Sequence, residues 1–188
     1  MEPGFWKTFV QLLLTTGLRF GEAAALKWED LELATDRPYI MVKRSVCYGI
    51  VSEPKTRQSR RTIALIPETA ASLRALRAET PKTPWAFMTR TGRLLNSGRS
   101  VAVLKRACVN AGVPIVSWHK LRHSCATQLM AEGVPLIAIK EVLGHTNIDV
   151  TAIYTHVVPS SMWQYMSVLS GKNVSQTGGQ IPQAHMAA

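Results

Sequence analysis

Three short runs carry the side chains best suited to chemistry. In chain order they are Trp118-His119-Lys120-Leu121-Arg122-His123, Leu143-Gly144-His145 and Thr151-Ala152-Ile153-Tyr154-Thr155-His156. Two more stand upstream: Thr16-Gly17-Leu18-Arg19-Phe20-Gly21-Glu22, and the basic run Pro54-Lys55-Thr56-Arg57-Gln58-Ser59-Arg60-Arg61. Transfer at a phosphodiester needs positive charge around the non-bridging oxygens, a nucleophile in line with the leaving oxygen, and a proton donor for that oxygen. The runs hold each type. A guanidinium forks onto two phosphate oxygens and stays protonated. Imidazole exchanges protons near neutral pH. A phenol, with a pKa near 10, becomes a nucleophile only where its surroundings help.

Each group also has a plainer reading. Arg19 and Glu22, three apart on a helix, share a face and can form an ordinary surface ion pair. His119 and His123 have the i,i+4 spacing of a zinc pair. Lys120, however, stands where a metalloprotease would carry its glutamate, and no carboxylate ligand is near, so no metal is expected. His145, after Gly144, can sit at a helix C-terminus. Tyr154 alone can be a half-buried structural tyrosine.

Taken together, the runs resemble the catalytic domain of the tyrosine recombinases, the phage integrase family. The H-x-L-R-H, L-G-H and T-x-x-Y-T-H elements match in type, order and spacing, as do T-G-L-R-x-x-E and K-T-x-x-S-x-R, and the likeness extends from about Phe5 to Leu169. It implies that Arg19 and Arg122 clamp the scissile phosphate and that His119 and His145 add hydrogen bonds and proton handling. It further implies that Lys55, on a hairpin tip, protonates the leaving 5′ oxygen, and that Tyr154 attacks to form a 3′-phosphotyrosyl bond. Glu22 buttresses the Arg19 guanidinium. No metal, cofactor or ATP is implied, because the arginines supply the charge a metal would. The partner implied is double-stranded DNA, met by a monomer that forms a tetramer in the synapse.

The chain departs from the family pattern at two positions that do no chemistry there: Lys120 stands where Asp is common, and Cys125 where an aromatic is common. Full-length members also carry an N-terminal helical domain that clamps DNA. The match here begins almost at Met1, so that domain is expected to be absent. Three alternatives stay open: a non-catalytic DNA-binding remnant of the family, a type IB topoisomerase-like enzyme, and an unrelated basic helical regulator reading the major groove.

The composition fits. With 22 Lys plus Arg against 12 Asp plus Glu, the 188 residues carry a net charge of +10, which favours a polyanionic partner. A 46% hydrophobic and 18% charged composition is that of a globular chain, of a length that builds one domain with its own core. No apolar run is long enough to span a bilayer; Phe9–Leu18 is interrupted by Gln11, Thr15, Thr16 and Gly17. The N-terminus lacks the pattern of a secretory signal. Three scattered cysteines, Cys47, Cys108 and Cys125, argue against a disulfide framework and fit a reducing cytoplasm.

The elements that must position the site read as mostly α with a small antiparallel β-sheet (α+β), the fold the resemblance also implies. Helices are expected over 5–18, 21–26, 68–78, 96–111, 118–132, 136–143, 148–156 and 159–169. Strands are expected over Tyr39–Val42, Tyr48–Val51 and Thr62–Ile66, with 54–59 as a basic turn. The catalytic domain spans 1–170, and 171–188 reads as a disordered tail. Lys43, Arg44, Arg57, Arg60 and Arg61 form a candidate DNA-binding patch; Arg99, Lys105 and Arg106 form a second. Trp118 is expected to pack beside the site. His123, His156, Cys47 and Cys125 read as structural. The segment 159–169 can pack on its own domain or dock on a neighbouring copy.

Overall fold

A computed structural model describes residues 3–53, 60–80, 83–144, 166, 167 and 169. The expectations for 54–59, 148–156 and 171–188, and nearly all of 159–169, lie outside these residues. So do Lys55, Arg57, His145 and Tyr154.

The first helix, α1 (Pro3–Thr16), buries Phe5, Phe9, Leu12, Leu13 and Thr16, spaced so that one stripe of the helix is apolar. It lies at the centre, packed on α3 (Pro67–Glu79) and α5 (Trp118–Ala131). Full burial of one such Leu or Phe side chain contributes roughly 1.5–3 kcal/mol. The short α2 (Phe20–Ala24) follows, then a 3₁₀ turn at Trp28–Asp30.

The β region departs from the expected single sheet. Strands β1 (Leu31–Glu32), β2 (Tyr39–Val42) and β5 (Arg61–Ala64) form one antiparallel sheet in the order β1-β2-β5. Strands β3 (Ser45–Cys47) and β4 (Ile50–Ser52) form a separate hairpin. Its turn places Tyr48 and Gly49 at φ 50° and 84°, the left-handed pair that a two-residue hairpin loop needs. Tyr48 at this tip is 91% exposed.

Gly21 explains how β3 seats on α2. A Cβ built there would lie 2.5 Å from the Val46 carbonyl oxygen and 2.7 Å from Ser45 Oγ. Helix propensity alone would favour Ala at this position by about 1 kcal/mol. The backbone of β3 cannot yield that far without moving, so the clash wins. Gly21→Ala is expected to lower stability by about 1–3 kcal/mol, read as a lower urea midpoint; an unchanged or higher midpoint would contradict the packing.

Helix boundaries follow local chemistry. Pro67 opens α3. Asn96 Oδ1 accepts the Arg99 N–H at 3.1 Å to cap α4 (Ser97–Asn110), and Ser117 Oγ accepts the Lys120 N–H at 3.3 Å to cap α5. The last helix, α6 (Leu136–Leu143), ends at Gly144, which is left-handed at φ 66°. A small cluster of Cys125, Leu129, Val134, Ala138, Ile139 and Leu143 fixes α6 on α5. Met166 is buried in the main core, and Leu169 packs against both clusters, so these C-terminal residues lie on their own domain. Among the described residues no helix is long and apolar enough to cross a membrane.

Candidate active site

An aromatic cluster aligns the elements that carry the basic groups. Phe9 of α1 contacts Phe20 at 5.2 Å and Trp118 at 5.8 Å between ring centroids, and Phe20 meets Trp118 at 5.0 Å. Trp6 stacks on Trp118 at 6.0 Å, and Trp118 Nε1 donates to the Ser97 carbonyl at 3.2 Å. Phe20 adjoins Arg19 and Trp118 adjoins His119. Packed rings therefore set the placement of two candidate residues that themselves reach outward.

Arg122 is 4% exposed. Its Nη1 donates to the Gly17 carbonyl and its Nη2 to the Leu143 carbonyl, both at 2.7 Å. The guanidinium thus bridges the end of α1 and the end of α6, and each bond satisfies a carbonyl left open by a helix terminus. Both acceptors are neutral. Burial, then the nearby Arg19 charge, partly opposed by Glu22, and the Arg61 charge bring its pKa down to about 10. It stays protonated at neutral pH.

Glu22 ties two further arginines together. Its Oε2 accepts the Arg19 backbone N–H at 2.8 Å, closing the start of α2, and its Oε1 accepts Arg19 Nη1 at 3.0 Å. Arg61 lies on the same carboxylate with both prongs, Nη1 to Oε1 at 3.1 Å and Nη2 to Oε2 at 2.9 Å. Arg19 remains 47% exposed while Glu22 and Arg61 are 7% and 8% exposed. Burial pushes the Glu22 carboxyl up. The Arg61 hydrogen bonds and charge, with the Arg19 N–H and charge, more than offset this and hold it below the ordinary carboxylate value of 4.5.

The sign of that shift sets a pH dependence. The stabilisation is fully present above the unfolded carboxyl's pKa and is lost as pH falls through the lower folded value. Glu22→Gln is expected to cost about 3 kcal/mol at neutral pH, because it leaves buried Arg61 without a counter-charge. The gap to wild type should narrow as pH falls below about 4. Urea unfolding across this range checks it; a gap constant with pH would contradict the ionised, paired carboxylate.

The candidate DNA-binding patch needs correction at Arg61, which is buried on Glu22 and on the Val142 carbonyl, 2.8 Å from its Nε, instead of facing solvent. Arg44 pairs with Asp30 through Nη1 and lies 3.4 Å from Glu29, and Lys43 Nζ is 3.3 Å from Asp30. Arg60 is exposed and pairs with Glu53 at 2.6 Å. The second patch, Arg99, Lys105 and Arg106, is exposed on α4.

His119 is exposed at the start of α5, edge-on to His123 at 4.7 Å. Among the described residues no group of three His, Cys, Asp or Glu is arranged to hold a metal. Cys125 is buried, and that burial pushes its thiol up to about 12, which makes it inert at neutral pH. A groove of about 840 Å³ lies elsewhere, lined mainly by apolar residues of α1, α4 and α5 such as Val10, Leu14, Leu104 and Trp118, with Leu169; it holds no arginine.

The sequence reading missed what Arg61 does. A usable signal was available: Glu22 sits in an otherwise apolar stretch, and a buried carboxylate needs more neutralisation than one half-exposed arginine gives.

The model of the phage integrase family matches residues 5–160. A tyrosine recombinase XerC-like protein of Caldanaerobacter subterraneus subsp. tengcongensis is 29% identical, over 87% of this chain and 49% of its own length. Tyrosine recombinase XerA of Thermococcus kodakarensis is 36% identical, over 80% of this chain and 50% of its own. The chain thus spans about half the length of the curated relatives it matches. Among solved structures, the integrase of mycobacterium phage Brujita superposes with a TM-score of 0.65 at 24% identity, covering 90% of this chain and 53% of that one. The Tn1549 transposon integrase, solved with circular intermediate DNA, gives 0.64 at 21%, covering 90% and 66%. At these identities the superpositions establish the shared α+β fold.

Proposed function

The chain belongs to the phage integrase family, and from that premise we propose that it is the catalytic domain of a site-specific DNA recombinase. One observation carries the reading to this chain's own residues. Two guanidiniums, of Arg19 and Arg61, bond a single carboxylate, and a third, of Arg122, lies near enough to feel their charges while it bonds only to neutral carbonyls in the contacts above. Such an excess of positive charge, partly withdrawn from water, suits an anion with several oxygens, which a phosphodiester supplies.

In this reading Arg19 and Arg122 hold the non-bridging oxygens of the scissile phosphate. The Tyr154 hydroxyl attacks phosphorus in line, its proton passing to the imidazoles of His119 and His145 or to water. The bond to the 5′ oxygen breaks, and Lys55 donates the proton that releases a 5′-hydroxyl. The 3′-phosphotyrosyl bond conserves the phosphodiester energy, so the reverse attack by a 5′-hydroxyl rejoins a strand without ATP or metal. Double-stranded DNA is the partner, bound by a monomer and synapsed as a tetramer, in the cytoplasm of a bacterial cell. Arg60 and Arg57 are the patch members retained for backbone contact.

The test is covalent trapping on nicked suicide duplexes drawn from a randomised pool, with EDTA present. The expected product is a protein–DNA adduct that survives denaturing detergent and leaves a 5′-hydroxyl end. Salt-sensitive DNA binding with no adduct, both for the chain alone and for a fusion to a DNA-clamping domain, would overturn the reading in favour of a DNA-binding remnant.

A further inference from the structure

Arg61 opens β5, directly after the segment that carries Lys55. Its guanidinium joins three elements at once. Both prongs grip Glu22 of α2, and Nε grips the Val142 carbonyl in the last turn of α6. Arg122 holds the next carbonyl, Leu143. Two arginines from different elements therefore secure consecutive carbonyls at the C-terminus of α6, where the helix dipole is negative.

Gly144 makes the approach possible. A Cβ there would lie 2.8 Å from Arg61 Nη1 and 3.0 Å from its Cζ. The residue that follows is His145. Arg61 thus fixes the end of α6, next in sequence to one candidate imidazole, and follows in sequence the segment carrying the candidate acid.

Its effect on Arg19 is electrostatic. Glu22 Oε1 receives Arg19 Nη1 and Arg61 Nη1 together, at 3.0 and 3.1 Å. Without Arg61, the carboxylate would have Arg19 as its remaining cationic partner in these contacts. It would draw the Arg19 fork inward and set a bare negative charge beside an incoming phosphate. With Arg61 in place the carboxylate is neutralised from the buried side, and the half-exposed Arg19 keeps donors for an external anion.

We propose that Arg61 is a positioning residue for strand cleavage: it neutralises Glu22 so that Arg19 is available to the scissile phosphate, and it secures the α6 turn that leads to His145. The role rests on the recombinase reading. It differs from the surface contact expected of a basic residue in a hairpin run, because the Arg61 guanidinium is buried on Glu22 and the Val142 carbonyl.

The experiment measures single-turnover adduct formation at saturating protein on a duplex that the wild-type chain traps. Arg61→Met, Arg61→Lys and the double variant Arg61→Met/Glu22→Gln are compared, each with its melting temperature and its half-saturation for DNA. Every protein is also given the same duplex with a neutral methylphosphonate at the scissile position. Arg61→Met is expected to slow adduct formation on the order of 10- to 100-fold, the scale of a misplaced reacting group, with half-saturation near the wild-type value. Arg61→Lys should fall between, since an ammonium neutralises Glu22 without the fork. The double variant should recover part of the loss, because the bare carboxylate is gone. The penalty should shrink on the methylphosphonate, which asks less of the Arg19 charge.

A wild-type rate in folded Arg61→Met would overturn the proposal. So would weaker DNA binding with an unchanged rate at saturation, which marks a phosphate contact, or an equal penalty on both substrates, which marks a structural role alone. If Arg61→Met does not fold, Arg61→Lys and the double variant give the same comparison. A wild type inactive both alone and as the fusion to a DNA-clamping domain would instead overturn the recombinase reading itself, and this role with it.

Discussion

Arg122→Ala is expected to reduce covalent adduct formation by on the order of 100-fold or more, the cost of deleting a donor aimed at developing oxyanion charge. The reason lies in how the side chain is held. Two of its N–H groups are fixed at 2.7 Å on the Gly17 and Leu143 carbonyls, so the guanidinium plane is set before any substrate arrives. A fork held this way needs no reorganisation at the moment of reaction. Burial first, and next the Arg19 charge, disfavour the cation and bring its pKa down to about 10, still protonated at neutral pH. A phosphate beside it would supply the opposite charge.

The same substitution removes structure, and the two effects need separating. Alanine would leave two buried carbonyls without a donor, at about 1–3 kcal/mol each. Arg122→Lys is the informative companion. It keeps the charge but cannot hold both carbonyls and still present a planar fork. It should therefore retain most of the fold and lose most of the rate. Single-turnover trapping at saturating protein, run with a thermal melt, makes the comparison. Wild-type trapping by a folded Arg122→Lys or Arg122→Ala would remove Arg122 from the phosphate clamp.

The fold was legible where local chemistry decides it. Pro135 and Gly144 bracket α6, and its expected limits, Leu136–Leu143, are the observed ones. Tyr39–Val42 has the β-rich composition of a strand and is one. Elements whose identity depends on a partner were not legible. Leu31–Glu32 is a strand only because Ile40 and Tyr39 pair with it. Ser45–Cys47 has no strand signature of its own and is shaped by its hairpin partner and by its seat over Gly21. Hence one expected sheet became a sheet and a separate hairpin.

The candidate site divides along the same line. The spacing of three put Arg19 and Glu22 within reach of each other, and their contact is local, but Arg19 stands at the cap of α2 with extended backbone and not on the helix itself. Arg61 was misread because sequence gives the sign of a charge and not its depth. Its partners, Glu22 and Val142, lie 39 and 81 residues away along the chain. The same blindness applied to Lys43 and Arg44, whose acids Glu29 and Asp30 sit across the β1–β2 turn. Basic residues that sequence groups into one patch are sorted by the fold into a buried strut at Arg61, partners of the buried Asp30 at Lys43 and Arg44, and an exposed ion pair at Arg60.

Tyr154→Phe should abolish the adduct outright, a loss on the order of 1,000-fold or more, the scale on which removal of a nucleophile is felt. The substitution deletes one oxygen and keeps the ring. What disappears is the oxygen proposed to form the phosphotyrosyl bond. The cluster of Arg19, Arg61, Glu22 and Arg122 is untouched, so salt-dependent DNA binding should persist at wild-type strength. That pairing of outcomes separates chemistry from binding, which Arg122 variants cannot do cleanly. It also separates two kinds of nucleophile. If water attacked at the arginine clamp, Tyr154→Phe would still nick DNA, leaving ends but no detergent-resistant adduct. If a different side chain were the nucleophile, the adduct itself would remain. Either result would remove Tyr154 from the reaction while leaving the phosphate clamp standing; loss of both adduct and nicking, with binding intact, would place the phenol at the phosphorus.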